Sequence, residues 1–220
     1  MLEALFAFAV PTLVFLSATT AMSTSSGRVL GLGAVILAAG AAGFHEIPGM
    51  IASDAPGSKL VNAFYCSAIT LTTVGYGDIC PSEDTGPEGK AFLIVLSFLG
   101  LGFFCGPLLD FAASWTEQVP GGPGVVAAVT IGVGVALFTQ PLLWDGKQGL
   151  APLDAVYYAT VTGTTIGYGD HSPSTDEGKI AAAIYAIIAV NAVGGLLAPA
   201  SDFLSGLVAG GDEGKVKGSV

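Results

Sequence analysis

The sequence predicts an all-α membrane protein built from two tandem repeats, and three observations support this fold class. The chain has 220 residues, of which 52% are hydrophobic and only 11% are charged, and its mean hydropathy is +0.72. This composition suits a chain whose outward-facing side chains meet lipid rather than water. Several apolar stretches reach about 20 residues, the length that a helix needs to cross a bilayer. The heptapeptides TTVGYGD and TTIGYGD, at residues 72–78 and 164–170, lie in matching positions between those stretches.

Five apolar stretches predict the membrane segments. They cover roughly residues 2–22, 29–44, 91–113, 124–143 and 179–209. The last three reach spanning length easily, whereas the second is marginal and relies on Arg28 and His45 reaching the interface at its ends. Three interpretations stay open for the first stretch: an extra span, an interfacial helix or a signal peptide. Glu3 and the absence of an early Lys or Arg disfavour the signal peptide.

Two shorter apolar segments, Leu60–Leu71 and Pro152–Gly163, come directly before the heptapeptides. Each has about twelve residues, which is too short for a span and typical of buried or re-entrant helices. Pro152 suits the first turn of its helix, where a missing N–H does no harm. The sequence therefore predicts two short helices inside the membrane layer.

An internal repeat becomes plain when the two halves are aligned. Val61–Asp78 matches Leu153–Asp170 without a gap, and Glu88-Gly89-Lys90 recurs as Glu177-Gly178-Lys179. The repeating unit is a span, a short helix, a heptapeptide and a second span. This predicts five regions: an N-terminal apolar segment of uncertain topology (1–27), a first pore repeat (28–113), a cytosolic linker (114–122), a second pore repeat (123–206) and a short cytosolic tail (207–220).

Each heptapeptide has the composition of an ion-conducting backbone. Non-helical backbone at membrane depth is tolerated only where protein buries it or where it lines a water-filled cavity. Glycine adopts positive φ without penalty, and residues of alternating hand point successive carbonyls to one side. Thr-Val-Gly-Tyr-Gly is the signature of potassium filters, in which rings of carbonyls replace the hydration shell of the ion. The predicted ion-binding residues are Thr73, Val74, Gly75, Tyr76, Gly77, Thr165, Ile166, Gly167, Tyr168 and Gly169.

The alternation also predicts where the side chains go. Val74, Tyr76, Ile166 and Tyr168 are expected behind the filter, against the short helices, with Tyr65 and Tyr157 as neighbours. Asp78 and Asp170 are expected at the outer mouth of the pore. A glycine-rich phosphate loop is the obvious alternative for such a motif, but the sequence lacks the Lys-Ser/Thr or GxGxxG pattern that it requires.

On these residues the sequence resembles the two-pore-domain (tandem-pore) potassium channels. The heptapeptides match the two filter signatures of the family, and AFYCSAITLTTVGYGDICP (residues 63–81) is similar to its first pore region. The resemblance covers roughly residues 28–206 and implies a pseudo-fourfold potassium-channel pore, formed by a homodimer with two span–pore helix–filter–span repeats per chain. It places outer helices at 28–45 and 123–143 and inner helices at 90–113 and 178–206. Only about fourteen residues, Glu46–Lys59, precede the first pore helix, so the long helical cap of animal members is not expected.

The expected function is passive, potassium-selective conduction of the leak or background type, without enzyme activity. Bound K⁺ ions are the only expected ligands, and no other cofactor is predicted. The three cysteines (Cys66, Cys80 and Cys105) form no CxxC pattern, so a zinc site is not expected. With a net charge of −10 and seven scattered Lys and Arg residues, no nucleic acid partner is expected. The expected partners are a second copy of the chain, the lipid bilayer and K⁺.

Three other functions stay open: a weakly selective cation channel, a potassium transporter subunit and a non-conducting regulatory subunit. The expected location is an integral, multi-pass position in the plasma membrane, with an organelle membrane as the alternative. Within these 220 residues no span carries arginines at every third position, which disfavours a voltage sensor. Gating is therefore expected in the membrane helices or the filter.

Several residues are candidates for gating or sensing, each with a structural alternative. His171 follows the second filter and is a candidate pH sensor, since histidine changes its charge most readily near neutral pH; the alternative is an exposed side chain without a role. Asn191 is expected to face the cavity or a partner helix, because a polar group in lipid is expensive. Asp110 and Asp202 could form an acidic ring at the inner entrance or merely solvate helix ends. Gly100, Gly102 and Pro107 could allow bending, although glycine also serves close helix packing.

Overall fold

The computed structural model describes residues 25–79, 81–82, 85–104, 106–144, 148–196, 199–201 and 204–205. The apolar segment 2–22, Asp202 and the tail from residue 207 lie outside this part. Every regular element within it is helical, as the sequence predicts. The elements are α1 (Ser25–Glu46), α2 (Lys59–Leu71), α3 (Pro87–Phe104), α4 (Pro107–Thr116), α5 (Gly122–Phe138), a 3₁₀ turn (Pro141–Leu143), α6 (Pro152–Gly163) and α7 (Asp176–Gly194).

Three helical runs of the described chain are long and apolar enough to cross a membrane. They are Ser26–Glu46, Pro87–Thr116 and Asp176–Ser201. The first contains the predicted outer helix 28–45, and the other two contain most of the predicted inner helices. The chain is therefore an integral membrane protein.

The predicted outer helix at 123–143 is wrong at its C-terminal end. Helix α5 has 17 residues and stops at Phe138. Pro141 cannot continue a helix because it lacks an N–H and its ring clashes with the preceding turn. The Phe138 carbonyl accepts instead from the indole Nε1 of Trp144 at 2.7 Å and from the N–H of Leu150 at 3.0 Å.

The first inner helix is interrupted where the sequence places a proline. Helix α3 ends at Phe104 and α4 begins at Pro107, and Gly106 between them is not helical, with φ −127° and ψ −109°. Bending at Pro107 stays a prediction. In the second repeat, α7 ends at Gly194, a turn follows, and helical residues resume at Pro199. Both inner segments thus contain described positions that are not helical, at Gly106 and at residues 195–196.

The longer helices cover most of the short helix α2, whereas α6 keeps one exposed side that includes Leu153 and Tyr157. Helix α2 packs on α1, α3 and α7, while α6 packs on α5 and α7. Residues 47–58 join α1 to α2 without any helix, which agrees with the expectation that the long cap is lacking. Hydrogen bonds hold this connection against the residues before α3: the hydroxyls of Ser82 and Thr85 donate to the Gly49 carbonyl at 3.2 and 2.7 Å.

One close approach fixes the end of the first pore helix against an inner helix. A Cβ added to Gly100 of α3 would lie 2.9 Å from the Cα and carbonyl oxygen of Leu71, at the end of α2. In the second repeat the glycine stands on the pore helix instead of the inner helix. Gly163 ends α6, at the position of Leu71, and Ala189 of α7 lies opposite, with its Cβ 3.6 Å from a Cβ built at Gly163. Gly100 therefore serves close packing, whereas a Cβ at Gly102 would meet nothing within 4 Å.

Candidate functional site

At the end of each pore helix, backbone hydrogen bonds connect the helix directly to the heptapeptide segment that follows it. The carbonyl of Ile69 accepts from the N–H groups of Val74 and Gly75 at 3.1 and 3.2 Å. In the second repeat the carbonyl of Val161 accepts from residues 166 and 167 at 3.0 and 3.2 Å. Because one carbonyl near each helix end holds two consecutive amides, the segment leaves the helix with the same geometry in both repeats.

The backbone then alternates in hand through both segments. The positive-φ positions are Thr73 (60°), Gly75 (54°), Gly77 (77°), Thr165 (58°), Gly167 (53°) and Gly169 (72°). The two threonines are the only non-glycine residues of the described chain with positive φ, a conformation rare for β-branched residues. Sequence reasoning assigned positive φ to the glycines and missed the threonines, because propensity alone does not favour it there.

Side-chain burial in the first segment follows the same alternation. Thr73, Gly75 and Gly77 are exposed, whereas Val74 and Tyr76 are buried, with 3% and 5% of their surfaces exposed. This confirms the predicted positions of Val74 and Tyr76 behind the segment.

The ring of Tyr76 lies between two other tyrosines. It stacks on Tyr65 at 6.4 Å between centroids and on Tyr158 of α6 at 5.6 Å. Its hydroxyl is hydrogen-bonded to the Thr162 hydroxyl. The back of the first segment is therefore closed by the second pore helix of the same chain.

The corresponding residues of the second segment are not buried within one chain, so their predicted position behind the filter stays a prediction for the dimer. Ile166 is 51% exposed and Tyr168 is 68% exposed, although their counterparts Val74 and Tyr76 are buried. The reason is positional: α6 covers the back of the first segment, and no described element of this chain covers the back of the second. Tyr157, expected beside Tyr168, is itself 38% exposed.

The two segments lie directly side by side. A Cβ added to Gly167 would be 1.9 Å from the Val74 carbonyl oxygen, and one added to Gly169 would be 2.0 Å from that of Tyr76. Only glycine allows this approach. A Cβ at Gly75, by contrast, would meet nothing within 4 Å. The second segment is thus covered by the first at Gly167 and Gly169, whereas the first segment is open at Gly75.

Polar groups follow each segment at the same end. The Tyr65 hydroxyl donates to Asp78 Oδ2 at 2.8 Å, which fixes this carboxylate to the first pore helix. Asp170 is exposed, and the ring of His171 lies edge-on to Tyr157 with centroids 6.1 Å apart. Both aspartates and His171 therefore cluster beyond the filter segments, where the sequence places the outer mouth.

The inner candidates have varied surroundings. Asn191 is buried in the single chain: its Nδ2 donates to the Ile187 carbonyl at 2.7 Å, and its Oδ1 has no partner among the described residues. Asp110 is exposed in the first turn of α4. Its partner in the predicted ring, Asp202, lies outside the described residues, so the ring stays a prediction.

Sequence reasoning missed a buried cation at the start of α7. Lys179 is only 1% exposed, and its Nζ donates to the Pro56 carbonyl and, at 2.7 Å, to Asn62 Oδ1 of α2. Asp176 accepts from the Ser58 N–H with both carboxylate oxygens, at 3.0 and 3.1 Å. The signal was present in the repeated Glu-Gly-Lys triplet, which places a lysine where a span begins in each repeat.

Short re-entrant helices that end in paired backbone segments of alternating hand, set among membrane-spanning helices, define a pore-loop ion channel. A family model described as "Ion channel" matches residues 32–117 and 124–206, one match for each repeat. The chain belongs to this ion channel family, and it is similar to proteins named as two-pore or subfamily K potassium channels. Its repeat structure is that of the family, and it is a channel protein rather than an enzyme.

The relatives come from plants and mammals. Two pore potassium channel c of Oryza sativa subsp. japonica is 28% identical over an alignment covering 71% of this chain and 40% of that protein. Potassium channel subfamily K member 16 of Homo sapiens is 28% identical, covering 58% of this chain and 45% of that protein. Subfamily K member 4 of Rattus norvegicus is 30% identical, covering 55% and 35%. The chain thus spans less than half the length of each of these relatives.

Proposed function

We propose that the chain forms a potassium-selective leak channel that conducts K⁺ passively through a filter built by two chains. The observation that carries the proposal is the pair of adjacent backbone segments whose hand alternates at residues 73–77 and 165–169. The names of the relatives, which describe potassium channels, support the choice of ion.

Selectivity would come from the backbone. In this proposal the carbonyls of residues 73–76 and 165–168 replace the hydration shell of K⁺, and the threonine hydroxyls of the same segments complete the inner end. The buried Val74 and Tyr76, packed on two pore helices, would hold the first segment in its high-energy alternating conformation. The ends of α2 and α6 would favour a cation by their dipoles.

A second copy of the chain would complete the pore. Four segments are needed to surround one ion, and each chain supplies two. The open face at Gly75 and the exposed Ile166 and Tyr168 are the surfaces that a second chain would cover. Large apolar side chains left exposed beside one another favour association.

Proteoliposomes containing only the purified chain test this proposal. We expect K⁺ efflux down its gradient, with much smaller Na⁺ flux. Gly167→Ala should abolish the K⁺ flux, because its Cβ would strike the Val74 carbonyl oxygen at a backbone φ of 53°. Gly132→Ala is the matched control, since a Cβ there meets nothing within 4 Å.

The same assay separates the alternatives. Equal K⁺ and Na⁺ fluxes would indicate a weakly selective cation channel. Uptake against a gradient would indicate a transporter subunit, and no flux from a correctly folded chain would indicate a regulatory subunit. We further propose the plasma membrane as the site of action, which localisation of the tagged chain in its own cells would check against an organelle membrane.

A further inference from the structure

The Lys179 site lies at a junction between the two repeats of one chain. Lys179 begins the second inner helix, whereas Pro56, Ser58 and Asn62 belong to the first repeat. A Cβ at Gly57 (φ 90°) would lie 2.1 Å from Asp176 Oδ1 and 3.3 Å from Lys179 Nζ, so both charged groups converge on the start of α2. A lysine, a carboxylate and an amide thus join the pore helix of one repeat to the inner helix of the next.

The internal alignment gives the counterparts of these residues. Asn62 corresponds to Asp154, and Lys179 corresponds to Lys90. Among the described residues, neither Lys90 nor Asp154 makes a side-chain hydrogen bond or ion pair. Lys90 is exposed and Asp154 is half-buried, whereas Lys179 and Asn62 are each 1% exposed.

This contrast matches that of the filter segments. Residues at the junction between the first and second repeats are buried and bonded, and their counterparts at the opposite edges of the repeats are exposed or half-buried. Tyr76 and Tyr168 show the same difference, at 5% and 68% exposure. In a pseudo-fourfold ring of four repeats, the second repeat of one chain contacts the first repeat of the other. This contact brings Asp154 of one chain close to Lys90 of the partner subunit.

We propose that Asp154 forms an ion pair with Lys90 of the partner subunit, so that two such pairs join the subunits of the dimer. The proposal rests on the dimeric pore proposed above. It places the pore helix α6 of one chain against the start of α3 of the other, as α2 lies against the start of α7 within a chain.

The charges of the two junctions balance in different ways, which supports the assignment. Within a chain, Lys179 has Asp176 three residues earlier on its own helix, and the pore helix supplies only the neutral Asn62. The first inner helix has Pro87 in place of Asp176, and there the pore helix supplies Asp154. Each junction would thus pair a lysine of the inner helix with one aspartate. Within a chain this aspartate (Asp176) lies on the inner helix, whereas between chains it (Asp154) lies on the pore helix. A lysine buried by association needs such a partner.

Chemical cross-linking of the wild-type protein tests the pair directly. Unlabelled and ¹⁵N-labelled chains are co-purified as mixed dimers in detergent and treated with a carbodiimide, which joins an amine to a carboxylate without a spacer. We expect a Lys90–Asp154 cross-linked peptide that contains one labelled and one unlabelled half. Finding that peptide only with both halves of one isotope would place the contact within a chain and overturn the proposal.

Charge exchange supplies a second test that does not depend on cross-linking chemistry. Lys90→Glu alone and Asp154→Lys alone should each weaken dimerisation at least about tenfold, because each creates like charges at a packed contact. The double variant should recover dimerisation close to that of the wild type. Asp54→Lys is the control, since Asp54 is exposed in the connection between α1 and α2.

The outcomes separate this inference from the function on which it rests. A K⁺-conducting wild-type dimer that shows no mixed cross-link and tolerates each single reversal would overturn the ion pair and leave the channel intact. A wild-type chain that conducts K⁺ only as another assembly, or stays monomeric, would overturn the dimeric pore and this ion pair with it.

Discussion

The Tyr76 hydroxyl in the first filter segment is hydrogen-bonded to the Thr162 hydroxyl in the second pore helix, 86 residues further along the chain. This contact joins the two repeats at the level of the filter. In the dimer that we propose, its counterpart would join Tyr168 to Thr70 of the partner subunit, because Thr162 aligns with Thr70.

Replacing Thr162 by valine should weaken the filter. The substitution keeps the shape of the side chain but leaves the buried Tyr76 hydroxyl without this partner, which costs about 1–3 kcal/mol. We expect a loss of K⁺ over Na⁺ selectivity or of open probability in bilayer recordings. Thr160→Val is the matched control, since the Thr160 hydroxyl donates to the Val156 carbonyl of its own helix. Equal effects of the two substitutions would show that the contact with Tyr76 does not support the filter.

Two glycines of α3 should respond oppositely to alanine. Gly100→Ala places a Cβ 2.9 Å from the Leu71 backbone and should lower the melting temperature of the purified protein. Gly102→Ala meets nothing within 4 Å and should stabilise the helix by up to about 1 kcal/mol. If Gly102→Ala instead alters channel opening without changing stability, Gly102 acts as a hinge.

Removing the buried ammonium of Lys179 should destabilise the junction between the repeats. Lys179→Met leaves Asn62 Oδ1 without its donor and removes one of the two donors to the Pro56 carbonyl, the other being Asn62 Nδ2 at 3.1 Å. Hydrogen bonds to a charged group contribute about 1.5–3 kcal/mol. Thermal unfolding in detergent measures the change. Lys59→Met, at an exposed position at the start of α2, should change stability by less than about 0.5 kcal/mol. A small effect at both positions would contradict the structural role of Lys179.

External acid should reduce the K⁺ current, and His171 should mediate this effect. Protonation adds a positive charge beside the exposed Asp170 and the ring of Tyr157, at the predicted outer mouth, and so weakens the attraction of the mouth for cations. His171→Asn should remove the pH response, whereas His45→Asn should keep it, because His45 pairs with Glu46 at the end of α1. An unchanged response in His171→Asn would exclude His171 as the sensor.

The local features of the fold could be predicted from the sequence because they depend on short-range patterns. The short helices were predicted at Leu60–Leu71 and Pro152–Gly163, and the structure has them at Lys59–Leu71 and Pro152–Gly163. The burial of Val74 and Tyr76 followed from the alternation of the backbone. The early end of α5 was missed because apolar composition continues to Leu143 while Pro141 and the bonds to Phe138 end the helix.

Features that depend on neighbours in space could not be predicted in this way. The motifs TTVGYGD and TTIGYGD differ only in Val74 against Ile166 and give no reason for Tyr76 to be buried and Tyr168 exposed. That difference arises because the first segment has a pore helix of its own chain behind it and the second does not. The burial of Lys179 was missed for the same reason, since the residues that receive its hydrogen bonds lie more than 100 positions away.

The reversal potential of a bilayer that contains only the purified chain, with K⁺ on one side and Na⁺ on the other, tests the central claim most directly. If paired filter segments from two chains select by their carbonyls, the potential lies far from zero, in the direction set by K⁺, and Gly132→Ala leaves it unchanged. A reversal potential near zero, from a protein that conducts and is correctly folded, would contradict a potassium-selective filter at residues 73–77 and 165–169.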